Sequence, residues 1–170
     1  MTIPRVLLAS LLLLALPARA AAPGLAPHSF EGRLLAAHNQ ERAAHGIARL
    51  HWSPKLAAQA GTWAQTLAAR GAFEHSASRH GAGENLWMGT TGYFAPEDMI
   101  GKFVKEGRRF RPGRFPDVSS SGNWADVGHY TQLIWPATQE VGCALETGHG
   151  NDVLVCRYYP AGNMMGALIP

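Results

Sequence analysis

The sequence predicts a single α+β domain, and three observations carry that expectation. Helical signals come first, over residues 29–45, 53–71 and 96–110, whereas two strand-like runs, 141–147 and 153–159, close the chain; helices grouped ahead of strands are the α+β pattern. A length of 170 residues suits one domain. Composition is the third: 46% hydrophobic residues, including five Trp, four Tyr and six Phe, against 16% charged, supply a core and exclude disorder.

Each element has its own warrant. Ser29 is placed to cap the first helix and Gly46 to stop it. The second opens with Ser53 as N-cap and Pro54 at the first helical position, where a missing N–H costs nothing, and ends at Gly71. Within it Leu56, Ala60, Trp63 and Leu67 form one apolar stripe, the mark of a core helix. A polar, glycine-rich connection leads through His75 to Gly83, followed by a short strand at 84–88 and a turn region at 89–95. Pro96, Glu97 and Asp98 suit the positive end of the third helix, which runs to Phe110. Residues 111–127 read as a long loop and 128–135 as a short helical turn stopped by Pro136. In the tail, a two-residue turn at His149 and Gly150 sets Cys143 opposite Cys156 in a non-hydrogen-bonded pair. The Cα atoms of such a pair lie about 4.5 Å apart, within disulfide range. Two buried thiols, or another register, are the alternative.

The first 20 residues have the layout of a secretory signal peptide: a basic start with Arg5, an apolar run over 6–16, and an Ala-x-Ala ending at Ala20. An uncleaved anchor is the other reading, against which the apolar run is short. Residues 21–30 are a leader and 31–170 the folded domain. Removal of the first 20 leaves 13 basic and 12 acidic residues. That near-neutral balance excludes a general nucleic-acid binder. No later run approaches spanning length, so the mature chain is expected to lack a transmembrane anchor and to work outside the cytoplasm, secreted or periplasmic. Its two cysteines are then expected as a disulfide.

Glu106 is the most informative single residue. Met99, Phe103, Glu106 and Phe110 share the spacing of the core stripe in the second helix, and a carboxylate in an apolar stripe must be paired, bind a cation or take up a proton. A rotated helix with Arg109 or Lys102 neutralising an exposed glutamate is the alternative. His75 and Glu84 flank a loop containing Gly81 and Gly83, where the backbone can bend closely around a ligand; singly, each also reads as an ordinary solvated side chain, and His129 as a simple cap. Sequence signatures of zinc proteases, dithiol redox proteins, serine hydrolases and dinucleotide binders are absent. Lys102, Lys105, Arg108, Arg109, Arg111 and Arg114 form one cationic cluster, fit for anionic lipid or polysaccharide or simply a solvated face.

Taken in order, a set of short motifs resembles the CAP superfamily, the cysteine-rich secretory, antigen 5 and pathogenesis-related 1 proteins with their SCP domain. The pieces are His38-Asn39 with Arg42; Leu50 and Trp52 with Leu56, Ala60, Trp63 and Ala64; Phe73-Glu74-His75-Ser76; Gly83-Glu84-Asn85-Leu86; Gly128-His129-Tyr130-Thr131-Gln132 with Trp135; Gly142-Cys143; and Val155-Cys156-Arg157-Tyr158 through Asn163. The resemblance implies an α–β–α sandwich, a small antiparallel sheet flanked by helices, over residues 31–170. It further implies a central cleft lined by His75, Glu84, Glu106 and His129, with His75 and His129 as ligands of zinc or another divalent cation. Tyr130 and Gln132 would support the cleft, while His38, Asn39 and Arg42 would hold the fold. Phe103 and Phe110 stand where the family usually has Trp and Tyr. The cysteine-rich extension of animal relatives is not seen.

Two His and two Glu leave the function open. A secreted binding protein, with a sterol or other lipid as the implied ligand and Met88 to Phe94 and Met164 to Ile169 as apolar surface, is the first reading. A metal- or carboxylate-dependent hydrolase of peptides or cell-wall material, using Glu84 and Glu106, is the second, though no positioned nucleophile can be named. An interaction module in envelope or host contact is the third.

Overall fold

The computed structural model describes residues 25–170. The expected signal peptide and the first part of the leader lie outside the described residues. Helix α1 is Phe30–Ala44; the Ser29 hydroxyl accepts the Gly32 N–H at 3.0 Å. Helix α2 is Pro54–Arg70, ended by Gly71 in the left-handed conformation. Ser53 is the N-cap residue of α2, but its side chain makes no capping hydrogen bond; it is buried, and its N–H donates to the Val141 carbonyl.

Four strands form the main sheet: β1 (His51–Trp52), β2 (Gly83–Thr90), β4 (Glu140–Gly148) and β5 (Asn151–Tyr159), in the order β1-β4-β5-β2. The β4, β5 and β2 pairings are antiparallel, and β1 adds a two-residue parallel edge to β4. The hairpin turn falls at His149 and Gly150, both at positive φ (51° and 76°) as a primed turn requires. It sets Cys143 against Cys156, and the disulfide forms with Cα atoms 4.1 Å apart.

Strand alternation divides the core between the two faces. Leu86, Val153 and Val155 meet Ala60, Ala64 and Leu67 of α2. On the other face Trp87, Leu154, Tyr158 and the disulfide pack beneath Leu34, Met99, Ile100, Phe103 and Leu133, contributed by α1, α3 (Pro96–Lys105) and α4 (Gly128–Leu133). Two glycines of β4 let α2 lie close: a Cβ on Gly142 would meet the Ala57 nitrogen at 2.3 Å, and one on Gly148 the Ala68 carbonyl oxygen at 2.2 Å. The sandwich is therefore α2 on one side and α1, α3 and α4 on the other.

α1 carries polar side chains into the larger core. Arg42 is fully buried, and its guanidinium donates to the carbonyls of Ala48, Leu133, Trp135 and Thr138. Burial pushes its pKa down to about 10. Asn39 pairs with both backbone groups of Leu50. The His38–Arg42 stretch thus fastens α1 to the loop before β1 and to the end of α4.

Three boundaries differ from expectation. β2 is longer than 84–88. The third helix is α-helical only to Lys105 and continues as a 3-10 turn, Glu106–Arg109, within which Gly107 lies against the Tyr130 ring, 2.8 Å from where a Cβ would stand. The loop over 111–127 contains β3 (Gly113–Arg114), paired with β6 (Leu168–Ile169), and a 3-10 turn, Trp124–Val127. Two-residue strands carry no periodicity for a sequence to show.

Candidate functional site

Where β2 begins, the connection after α2, the head of α4 and the segment after β5 enclose a cleft of about 1060 Å³. His75, Glu84, His129 and Gln132 line it. Glu84 sits on the α2 face of β2 with its side chain fully buried. Its Oε1 accepts from His75 Nδ1 at 2.7 Å and from the Ser76 N–H at 2.9 Å. Its Oε2 forms an ion pair with Arg157 Nη2 at 3.0 Å; Arg157 is its cross-strand neighbour on β5. Burial draws the Arg157 guanidinium below its ordinary pKa against the opposing pull of Glu84. Its Nε and Nη1 are buried without a partner, so Glu84 is its electrostatic compensation.

The second pair is built differently. Glu106 Oε1 accepts from His129 Nδ1 at 2.6 Å, and Oε2 accepts the N–H groups of His129 and Tyr130 at 3.0 and 3.2 Å. The carboxylate thus holds both the ring and the backbone at the start of α4. Phe103 stacks on the His129 ring with centroids 4.9 Å apart, and Asn85 donates to the His129 carbonyl. Glu106 stands behind His129, off the cleft wall. Of the alternatives for this residue, neither Arg109 nor Lys102 neutralises it: Arg109 pairs with Asp126 and Lys102 lies over the Phe94 ring.

Tyr130 is placed elsewhere than the cleft. Its hydroxyl lies between Glu41, at 3.1 Å, and His45, at 2.7 Å, on α1, because one step along a helix turns a side chain about 100° from His129. Gln132 lines the cleft as a brace: its Oε1 accepts the Gly162 N–H at 2.9 Å, and it fills the space that a Cβ on Gly83 would occupy.

Arg157 is the residue that sequence reasoning missed. Its signal was the alternation of β5: Val153, Val155 and Arg157 share a face, so a cation follows two apolar residues into the layer beneath α2. Arg79 and His80 also line the cleft. His80 is held at φ 51° in the turn closed by the Ala82 N–H and the Arg79 carbonyl.

Among the described residues, His38, Cys143 and Cys156 are the group whose potential ligand atoms lie within 4.8 Å of one another. It is no ion site, since the disulfide consumes both sulfurs and the His38 ring nitrogens contact the Leu34 carbonyl and the Tyr158 hydroxyl. No three of the four cleft residues gather their donors so tightly.

Residues 35–158 match the model of the cysteine-rich secretory protein family, CAP. Protein PRY2 of Saccharomyces cerevisiae is 32% identical over 140 residues, covering 81% of this chain and 39% of that protein. Secreted protein RBT4 of Candida albicans is 31% identical over 147 residues, covering 84% and 38%. Pathogenesis-related protein 1C of Nicotiana tabacum is 32% identical over 133 residues, covering 78% and 76%. The chain therefore spans about two-fifths of the length of the two fungal relatives. Among solved structures, BmVAL-1 superposes with a TM-score of 0.70 at 24% identity over 85% of this chain and 83% of that one. NaASP2, in a crystal structure with Zn2+, gives 0.67 at 24% identity over 80% and 82%. A family match across most of the sandwich, with a plant relative agreeing over most of both chains, makes this chain a member of the CAP family of cysteine-rich secretory proteins.

Proposed function

We propose that the chain is a secreted binding protein whose cleft takes a divalent ion, zinc in the first instance, on the Nε2 atoms of His75 and His129. One observation carries this reading. Each imidazole spends Nδ1 on a carboxylate, and neither Nε2 has a hydrogen-bond partner among the described residues. A carboxylate behind Nδ1 fixes the tautomer that leaves Nε2 as a lone-pair donor, the usual arrangement behind a metal-bound histidine. Two neutral imidazoles suit zinc, and NaASP2, which shares the fold, was crystallised with Zn2+.

Bound there, the ion would supply Lewis acidity and coordination positions for water or a ligand. The chain's own residues would do the orienting: Glu84 and Glu106 hold the rings, Arg157 pairs with Glu84 from the opposite strand, and Phe103 and Asn85 fix His129. The hydrolase reading is less well supported. Glu84 is fully buried, with Oε1 bonded to His75 and Ser76 and Oε2 ion-paired to Arg157, and Glu106 is off the cleft wall with both oxygens bonded to the start of α4, so neither presents an exposed, uncommitted oxygen to cleft water. For a sterol or other lipid, the ligand class implied by the family, the candidate place outside the cleft is a pocket of about 330 Å³ beside Tyr93 and Phe94, and its lining also carries Glu97, Asp98, Lys102 and Lys105, which suits a wholly apolar ligand poorly. Its size is at the lower end of ligand-pocket volumes.

Calorimetric zinc titration tests the metal reading. His75→Ala and His129→Ala are each expected to weaken zinc binding by tenfold or more, on the order of losing one ligand. Wild-type affinity in both variants refutes it. Lipid binding that survives both substitutions places the lipid outside the cleft. Hydrolysis lost in Glu84→Gln or Glu106→Gln with zinc retained favours the enzyme.

A further inference from the structure

Two features of the sequence, the cationic run over 102–114 and the apolar tail over 164–169, stand far apart in the chain, and the β3–β6 pairing sets the end of the first, Arg114, beside Leu168 of the second. We propose that the surface they form docks on an anionic lipid bilayer. This inference does not depend on the metal reading of the cleft.

The apolar part is Trp124, Met164, Met165 and Leu168, exposed by 40, 57, 69 and 63%. Phe115, fully buried, links the two segments: its ring meets Trp124 with centroids 5.2 Å apart, and its backbone pairs with Gly166 and Ala167, between Met165 and Leu168. Met165 is at the tip of the turn closed by the Ala167 N–H and the Met164 carbonyl, with Gly166 at φ 78°. Trp124 and Met164 also line the edge of the cleft, so the patch adjoins it, whereas Met165 and Leu168 lie outside that lining and are exposed.

The cationic part is fixed by strand register. Arg114 is the Cα partner of Leu168 and Gly113 that of Ile169; directly opposed residues project to the same side. Ile169 is buried, so Leu168 and Arg114 stand together on the outer side. Arg114 Nη1 also donates to the Gly166 carbonyl at 2.9 Å, against the methionine turn. Arg109 reaches Asp126, beside Trp124, at 3.6 Å. Arg108 and Arg111 are exposed on the same segment. Arg114 thus borders the patch and Arg109 reaches it through Asp126, while Arg108 and Arg111 add exposed cations on the adjoining segment, with Asp117 and the already paired Asp126 as the acids among them.

A protruding turn of flexible methionines, with a tryptophan at its margin and arginines around it, fits a deformable anionic surface. Tryptophan favours the membrane–water interface, methionine adapts to any packing, and arginines are attracted to anionic headgroups within a Debye length. A few inserted side chains plus a basic rim give weak, reversible, salt-sensitive attachment.

The test is co-sedimentation of the mature chain with vesicles of phosphatidylcholine, alone or with one-quarter phosphatidylglycerol, at low and high salt. Binding is expected only to the anionic vesicles and is expected to weaken with salt. Met165→Ser/Leu168→Ser and Arg111→Glu/Arg114→Glu should each reduce partitioning on the order of tenfold, with melting temperature and zinc affinity retained. Met165→Ser alone, at a turn tip without packing to lose, should give a fall of about threefold and serves if the double variant unfolds. Any of three results overturns the proposal: no binding to anionic vesicles, wild-type partitioning in both double variants, or self-association in velocity sedimentation that Met165→Ser abolishes, which would make a second copy the occupant.

Discussion

His38 ties the pH dependence of stability to one buried ring. Its Nδ1–H donates to the Leu34 carbonyl and its Nε2 accepts from the Tyr158 hydroxyl, both at 2.8 Å, so the neutral tautomer satisfies the whole side chain. The Tyr158 oxygen in turn accepts from Asn85 Nδ2 at 3.2 Å, and Asn85 also holds the His129 carbonyl at the cleft. Burial keeps the Tyr158 hydroxyl protonated by pushing its pKa up, and the same burial pushes the His38 imidazole down to about 4. An unfolded imidazole titrates near 6.5. Between those values the unfolded chain holds the proton and the native chain does not, so stability is full above about pH 6.5 and declines as pH falls towards 4. The loss from this group is roughly 3 kcal/mol. Urea unfolding across that range should show the slope in the wild type and a smaller slope in His38→Gln, whatever the variant's overall stability; identical slopes would assign the effect to other groups. Arg157 gives a second test. Arg157→Met leaves the Glu84 charge buried without its cation and should cost about 3–5 kcal/mol. Adding Glu84→Gln removes the stranded charge, so the double variant should lose markedly less than the sum of the two single losses.

At the scale of elements, the seating of α2 on β4 depends on what Gly142 and Gly148 lack. Alanine at either position drives a methyl group into helix backbone, which cannot swing aside as a side chain would, so α2 must lift. We expect a loss of about 2–3 kcal/mol, a fall in Tm of roughly 5–10 °C. Gly61 is the contrast within α2. A Cβ there meets only the Ala144 Cβ at 3.6 Å, ordinary contact, so Gly61→Ala should gain up to about 1 kcal/mol from helix propensity. Thermal melts of the three variants in parallel check the opposite signs. α2 and the hairpin were the most legible elements because each is specified locally, α2 by Pro54, the apolar stripe and Gly71, the hairpin by a two-residue turn that sets the register of Cys143 and Cys156. Glu106 was legible as a misfit in an apolar stripe and His75 and Glu84 as residues flanking a glycine-rich loop, whereas their convergence on one cleft was legible only through the family motif. Arg157 and the placement of Tyr130 were not, because each depends on which elements lie opposite in space. β3 and β6 were invisible for a simpler reason, being too short to show a period.

Across the whole molecule, the cleft is where the two layers of the sandwich meet. His75 leaves the end of α2 on one side of the sheet, and His129 opens α4 on the other. Each is anchored within its own layer, His75 to Glu84 and Arg157 and His129 to Glu106 and Phe103. A ligand that holds both imidazoles therefore links elements otherwise joined only through the sheet, and it binds a geometry that the unfolded chain lacks. Binding of this kind appears as stability: zinc at a hundredfold excess over its dissociation constant should add about 2.7 kcal/mol, or roughly 5–10 °C in Tm. Chelation should return the melt to its starting value, and neither His75→Ala nor His129→Ala should show the full rise, because one imidazole cannot bridge the layers. A zinc-dependent rise that persists undiminished in both variants would locate the ion elsewhere on the surface. No rise in the wild type would leave the two imidazoles as fasteners of their own glutamates, with the cleft open to a ligand that needs no metal.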